Sequence, residues 1–273
     1  PDLGPGVIDF GTGTDDPFVM PLGSIARITG DRVLICGSGV STVPPLSVMA
    51  RLTSDGRRDA AFGTDGIRPF GGSFSGGAYG KPGIQVSGDS VFVSGGILGP
   101  APQGIYRGDG SLDPVPGYGN AGYAGVSWAN PTFFADASTH AVDPSGAAFI
   151  AGTARLSSDT LACNFCLTRF LPDGTLDPAF NASGPAPGTL PLIIPDEGYP
   201  VRVLTRPDGR PVIVGTIRTA SPVENLVLAS INLDGTLDQR FGDPATPGIG
   251  RYDLDGNTAS SDYTVDAAMR PSG

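Results

Sequence analysis

The residues best suited to chemistry in this chain are a single histidine, His140, and polar groups near the same point of the aligned segments: Arg27 and Gln85 share one position, His140 lies two residues earlier on the same face, and Arg202 one further back. An imidazole beside a guanidinium can move a proton and hold an anion, the minimum a lyase or hydrolase asks of its site. His140 and Arg27 are therefore the candidate catalytic pair, and Gln85 and Arg202 candidate ligand contacts. A lone histidine serves equally well as a hydrogen-bonded structural group, and polar side chains in a wet channel satisfy one another. No second histidine is present to build a cluster.

Cys163 and Cys166 form a lone C-x-x-C. One such pair cannot supply four zinc ligands, and no helix-flanked strand surrounds it as a redox motif requires. In a regular strand these side chains point to opposite faces, so a disulfide between them needs a bulge. Disulfide and free thiols both remain open, and Cys36 reads as a small apolar residue in a buried strand. The run 253–257 with Asp262 resembles a calcium loop but lacks the closing glutamate, so a solvated turn is expected, with no metal or cofactor. Asp15 and Asp16 are its only counterpart. The insertion 118–134 carries Tyr123, Trp128 and Phe133, amphipathic rings suited to carbohydrate or protein contact or to plugging a loop onto a sheet.

These side chains sit on a periodic scaffold. An Asp-Gly turn followed by another aspartate recurs at Asp55 and Asp59, Asp109 and Asp113, Asp173 and Asp177, Asp234 and Asp238, with spacings of 54, 64 and 61 residues. Asp-Gly suits the positive φ of a tight turn, and the later aspartate in each copy is expected to accept turn N–H groups. An aromatic follows at Phe62, Phe180 and Phe241, with Tyr118 slightly displaced. A second marker pairs two apolar runs across a turn at Gly30-Asp31, Gly88-Asp89, Ser145-Gly146 and Asp208-Gly209. A glycine closes the second run seven residues on, at Gly37, Gly95, Gly152 and Gly215.

Each unit reads as a four-stranded meander; in the fourth the strands are expected at 201–205, 211–214, 226–233 and 248–254. The approximate repeats are 17–76, 77–132, 133–195 and 196–254, with a partial fifth at 255–273 to which 1–16 could add a closing strand. A four-stranded sheet cannot bury both faces alone, and radial stacking yields an all-β propeller in one repeat domain. A sandwich or solenoid is the structural alternative.

The pattern RL-x-x-DG-x-LD-x-x-F-G, carried here by Arg51-Leu52 through Phe62-Gly63 and by Arg169-Phe170 through Phe180, resembles the bacterial delta-60 repeat. The resemblance covers nearly the whole chain and implies a propeller-like fold and export to the periplasm, cell surface or medium. It carries no catalytic residue across. Copy two departs from it, with Arg107 only two residues before Asp109, and copy four has Ser230 at the arginine position. The partial fifth copy leaves three expectations open: a longer protein, a partner chain completing the ring, or imperfect closure.

Glycine (42) and proline (27) make up about a quarter of 273 residues, and charged residues only 16%. Hydrophobic residues at 39% are too many for a disordered chain. A formal charge of −10, with Lys81 the single lysine, argues against sequence-independent nucleic-acid binding and repels anionic membranes. No apolar run reaches membrane-spanning length. The leading expectation is an exported, non-catalytic binding or scaffold module for a protein or carbohydrate ligand; a propeller enzyme acting at the channel is the alternative.

Overall fold

The computed structural model describes residues 22–38, 47–70, 83–95, 103–126, 134–155, 161–194, 197–218, 224–254, 256, 261–262, 264 and 266–270. Among these residues there is no helix, and so none long and apolar enough to cross a membrane. The chain is all-β and antiparallel. Its first sheet is β1 (Leu22–Ile28), β2 (Arg32–Ser38), β3 (Ser47–Leu52) and β4 (Ile67–Phe70), paired in chain order. The second is β5 (Gly83–Ser87), β6 (Ser90–Gly95), β7 (Gln103–Gly108) and β8 (Tyr123–Val126). The third is β9 (Phe134–Val142), β10 (Ala148–Arg155), β11 (Leu161–Phe170) and β12 (Thr189–Leu192). In the fourth, β13 (Glu197–Thr205), β14 (Pro211–Arg218) and β15 (Glu224–Ser230) pair with β18 (Ile249–Tyr252), after a two-strand turn of β16 (Gly242–Asp243) and β17 (Thr246–Pro247). The third strand of that unit stops at Ser230 rather than Leu233, because Ile231 already bridges to Leu237 and opens the Asp-Gly turn.

Side-chain alternation gives each sheet two apolar faces, and neighbouring sheets share the cores between them. Leu34, Cys36, Met49 and Phe62 meet Ile84, Val91 and Val93 between the first two sheets. Phe92 and Tyr118 meet Ala148, Ile150 and Phe170 in the next layer, and Phe149, Phe165 and Phe180 meet Ile213, Ile217 and Val227 in the last. The first strands adjoin in succession, β1 with β5, β5 with β9 and β9 with β13. Cys36 is buried in β2.

The closing glycines have a second task. Gly37, Gly152 and Gly215 each pair with the residue where the register of the first strand slips, Leu22, Ala137 and Pro200. A bulge there lets the first strand bend where it meets the next sheet. At Gly215 a Cβ would lie 2.5 Å from the Phe165 ring and from the Tyr199 carbonyl, so no larger residue fits.

Copy two follows a different register from the one its Asp-Gly pair indicates. The bonds Asp109 N–H to Asp113 O and Leu112 N–H to Asp109 O match Thr53 to Arg57 and Gly56 to Thr53 in the first unit. Leu112, at φ 63°, therefore occupies the left-handed position held by Gly56, Gly174 and Gly235 elsewhere. Val115 stands where Asp59 stands, and its N–H bonds Arg107 O as that of Asp59 bonds Arg51 O. The expectation for Asp113 is corrected accordingly: its carboxylate is exposed and pairs with Arg68 at 3.0 Å, while Asp109 accepts the N–H groups of Ser111 and Asp113. Two residues are deleted before the Asp-Gly, and once they are allowed for Tyr118 aligns with Phe62 and Phe180.

Candidate functional site

The Asp-Gly turns build the joints between sheets. Asp59, Asp177 and Asp238 each accept the N–H two residues on, from Ala61, Ala179 and Arg240, at 3.1, 3.0 and 3.2 Å. Each also holds a guanidinium: Arg51 Nε lies 2.9 Å from Asp59, and Arg169 Nη1 lies 2.7 Å from Asp177. Copy four has Ser230 in the arginine's place, and Arg210, entering from the first hairpin, meets Asp238 at 2.7 Å instead. Burial works against ionisation of Asp59, but the Ala61 N–H and the Arg51 charge outweigh it and hold the carboxyl below its usual range. Asp55, Asp173 and Asp234 are bonded by Thr53, Thr175 and Thr236 hydroxyls, which lower them likewise.

The arginines reach onward to the following unit. Arg51 donates to the Gly110 carbonyl at 2.8 Å and Arg107 to the Pro172 carbonyl at 3.1 Å, equivalent points in consecutive turns. Main-chain N–H groups do the same, Gly119 to Asp173 O at 2.6 Å and Asn181 to Asp234 O at 2.8 Å.

A ladder of polar contacts crosses the first strands at one aligned position. The Gln85 amide pairs with the Val142 main chain, donating to its carbonyl at 3.2 Å and accepting its N–H at 2.8 Å. Thr205 donates its hydroxyl to that same carbonyl at 3.2 Å. Arg202 grips Asp266 with two nitrogens. Gln85 thus ties β5 to β9, and Arg202 ties β13 to the segment around Asp266, which forms no strand.

The ladder residues Gln85, Val142 and Thr205, with those leading into the first-hairpin turns, line a cavity of about 310 Å³. Residues 85–87, 142–144, 205–207 and 269–270 line it, the ends of the first strands β5, β9 and β13 with the residues that follow them, and the aligned stretch 269–270, which forms no strand. Its walls are apolar at Val86, Val142 and Met269 and stiffened by Pro144 and Pro207, with Ser87, Arg206 and Arg270 as polar groups. Arg206 stacks over Phe241 and faces Asp238 at 3.5 Å. Asp143, almost wholly buried, accepts the Ser145 and Ala147 N–H groups at 2.8 and 3.1 Å and faces Arg169. Of the sequence candidates only Gln85 lines this cavity. Ser87, Asp143, Arg206 and Arg270 went unselected, although all lie one or two residues before the hairpin turn, where a comparison across copies finds them.

His140 is elsewhere. It packs between β9 and the second sheet, bonded through Nδ1 to the Ser94 hydroxyl and resting on Gly83. Burial, with the nearby Arg202 charge adding to it, pushes the imidazole down to about 3, so it is neutral at ordinary pH. Its Nε2 has no hydrogen-bond partner among the described residues. Arg27 is exposed and pairs with Asp31 of its own turn. The two candidate catalytic side chains are thus not assembled into one site: one is sealed in a core and the other is in solvent.

Cys163 and Cys166 are joined by a disulfide, Cα to Cα 5.6 Å. The register between β10 and β11 slips there, Gly152 pairing Cys166 and Ala154 pairing Cys163, which supplies the bulge the bridge requires. Asn164 inside the loop exchanges two hydrogen bonds with the Ile194 main chain, at 2.7 and 2.9 Å. Tyr123 is partly buried in β8, its hydroxyl pushed up to about 12 by burial, and Trp128 lies outside the described residues. At the expected solvated turn, Asp253 accepts the Gly256 N–H at 2.8 Å; Asp255 and Asn257 lie outside the described residues. Among the described residues no three acidic, histidine or cysteine side chains gather as metal ligands. No protein-family model and no curated protein matches the chain.

Proposed function

We propose that this chain is an exported, non-catalytic binding module whose sheets radiate as propeller-like blades, in keeping with the delta-60 resemblance of its repeats. A protein or carbohydrate ligand binds at the mouth formed by the first-hairpin turns. The observation that carries this reading is the cavity itself, since corresponding stretches of three successive units and the aligned residues 269–270 line it. Convergence of equivalent loops on one site is how repeat architectures make a binding face. Adjoining first strands support the radial arrangement. A channel enzyme is not favoured, because His140 is neutral, buried and away from the cavity lining. The Cys163–Cys166 bridge is compatible with an oxidising compartment.

Binding of the full chain to glycan and peptide arrays tests this reading, followed by titration of any hit against Ser87→Trp, which fills the cavity, and Arg270→Glu, which reverses its exposed charge. A true ligand loses at least tenfold in affinity with Ser87→Trp. A hit bound equally by both variants rules out the cavity as the site.

A further inference from the structure

The geometry points to a self-association surface on the first sheet, whose occupant is the last sheet of a second copy of this chain. In the second, third and fourth sheets one face packs on the preceding sheet. Val91 and Val93, Ala148 and Ile150, and Ile213 do this, each exposed by 1% or less. Their counterparts in the first sheet, Val33 and Ile35, are only partly buried. Ile25 aligns with buried His140 and Val203 yet is 67% exposed. The outward face of this sheet thus carries an exposed isoleucine where a capping face would be polar.

The other face of each sheet packs on the following one, burying Met49 and Leu167 with the aromatics Phe62, Tyr118 and Phe180. In the last sheet the counterparts Leu228 and Phe241 are only partly buried. The turn tells the same story. A Cβ on Gly174 or Gly235 would strike the preceding unit's backbone at 2.8 or 2.5 Å, whereas nothing lies within 4 Å of that position at Gly56.

These open surfaces are the two halves of a contact that the chain already makes three times. Docked in the same register, the Asp55 carbonyl of one copy accepts the Gly242 N–H of the other, as Asp173 accepts Gly119 and Asp234 accepts Asn181. Ile25, Val33 and Ile35 then cover Leu228 and Phe241. The contact is head to tail, so it closes a ring or extends a filament. Residues 264 and 266–270 compete for the same place: Thr264 bonds Gly215 and Thr216, Asp266 bonds Arg202, and Ala267 holds the position aligned with Ile25. The incoming β1 displaces this segment.

Sedimentation velocity of the full chain across micromolar concentrations tests the proposal, with circular dichroism to verify folding. The average mass is expected to rise with concentration. Ile25→Asp weakens the association at least tenfold, and Arg202→Ala, which frees Asp266 and the residues after it, tightens it at least threefold. Ile193→Asp, at an exposed isoleucine after β12, leaves it unchanged. A one-chain mass throughout for both the parent and Arg202→Ala overturns the proposal. So does association that survives Ile25→Asp or falls equally with Ile193→Asp.

Discussion

The main-chain N–H of Asn181 donates to the carbonyl of Asp234 at 2.8 Å, which makes the Asp-Gly turn of one sheet the anchor of the sheet before it. Glycine at position 235 is then required twice over, by its φ of 85° and by the Asn181 backbone 2.5 Å from where a Cβ would stand. Gly56 shares the φ, at 80°, but not the neighbour. Gly56→Ala is expected to cost about 1 kcal/mol from the left-handed backbone alone. Gly235→Ala adds a backbone clash and costs roughly 3 kcal/mol or more. Urea unfolding of both variants separates the two contributions, and equal losses would show that the close approach carries no weight.

Leu112 offers the converse test. It is buried between the first two sheets with a φ of 63°, a conformation that costs leucine about 1 kcal/mol. Leu112→Ala keeps the backbone cost and removes the packing, with an expected loss of roughly 2 to 4 kcal/mol. Leu112→Gly loses the same packing but relieves the backbone, so it should be the more stable of the two by about 1 kcal/mol. Denaturation midpoints at equal slope give the order directly.

The buried imidazole sets an acid limit. His140 has its proton affinity lowered to about 3 when folded, against about 6.5 in an unfolded chain. Above pH 6.5 neither state holds the proton and the full stability is present. As pH falls from 6.5 toward 3 the unfolded chain takes up a proton that the folded chain refuses, so stability drops, by on the order of a few kcal/mol. The depressed aspartates act only lower, since they favour the fold above their unfolded value near 4 and lose that contribution beneath it. Between pH 6.5 and 4.5, chemical denaturation should therefore show a slope for the parent that is largely absent in His140→Gln. Parallel slopes would assign the loss to other groups.

The disulfide closes a loop of sequence separation 3, so its loop entropy is small. Replacing both Cys163 and Cys166 by alanine is expected to lower stability by about 2 kcal/mol. Thiol reductant should then have no further effect on the variant, read as an unchanged unfolding midpoint.

The meander of four strands was legible because two turn types recur with fixed offsets, and glycine at a turn reports a backbone angle that few other residues adopt. The Asp59, Asp177 and Asp238 turns follow from that logic. Copy two was misread for the same reason: its Asp109-Gly110 matches the motif by type, while the backbone places Leu112 and Val115 at the equivalent points. The bond pattern of a turn is what fixes its register, and a deletion upstream shifts letters without shifting bonds. His140 and Arg27 looked paired because alignment gives position along a strand, but not burial or the partner that arrives from another sheet. The replacement of the missing arginine at Ser230 by Arg210 was invisible for that reason too, since the two are distant in sequence and meet only at Asp238.

The Asp-Gly joints also govern how the chain resists being pulled apart. Each sheet is tied to its neighbour by a few hydrogen bonds and a shared apolar layer, and among the described residues no strand pairing spans two sheets. Under tension between its ends such a chain extends in a sawtooth of separate ruptures rather than in a single collapse. Every rupture pays out one period of 54 to 64 residues, a contour length of roughly 200 Å. The repeat that organises the sequence is thereby also the quantum of its mechanical extension.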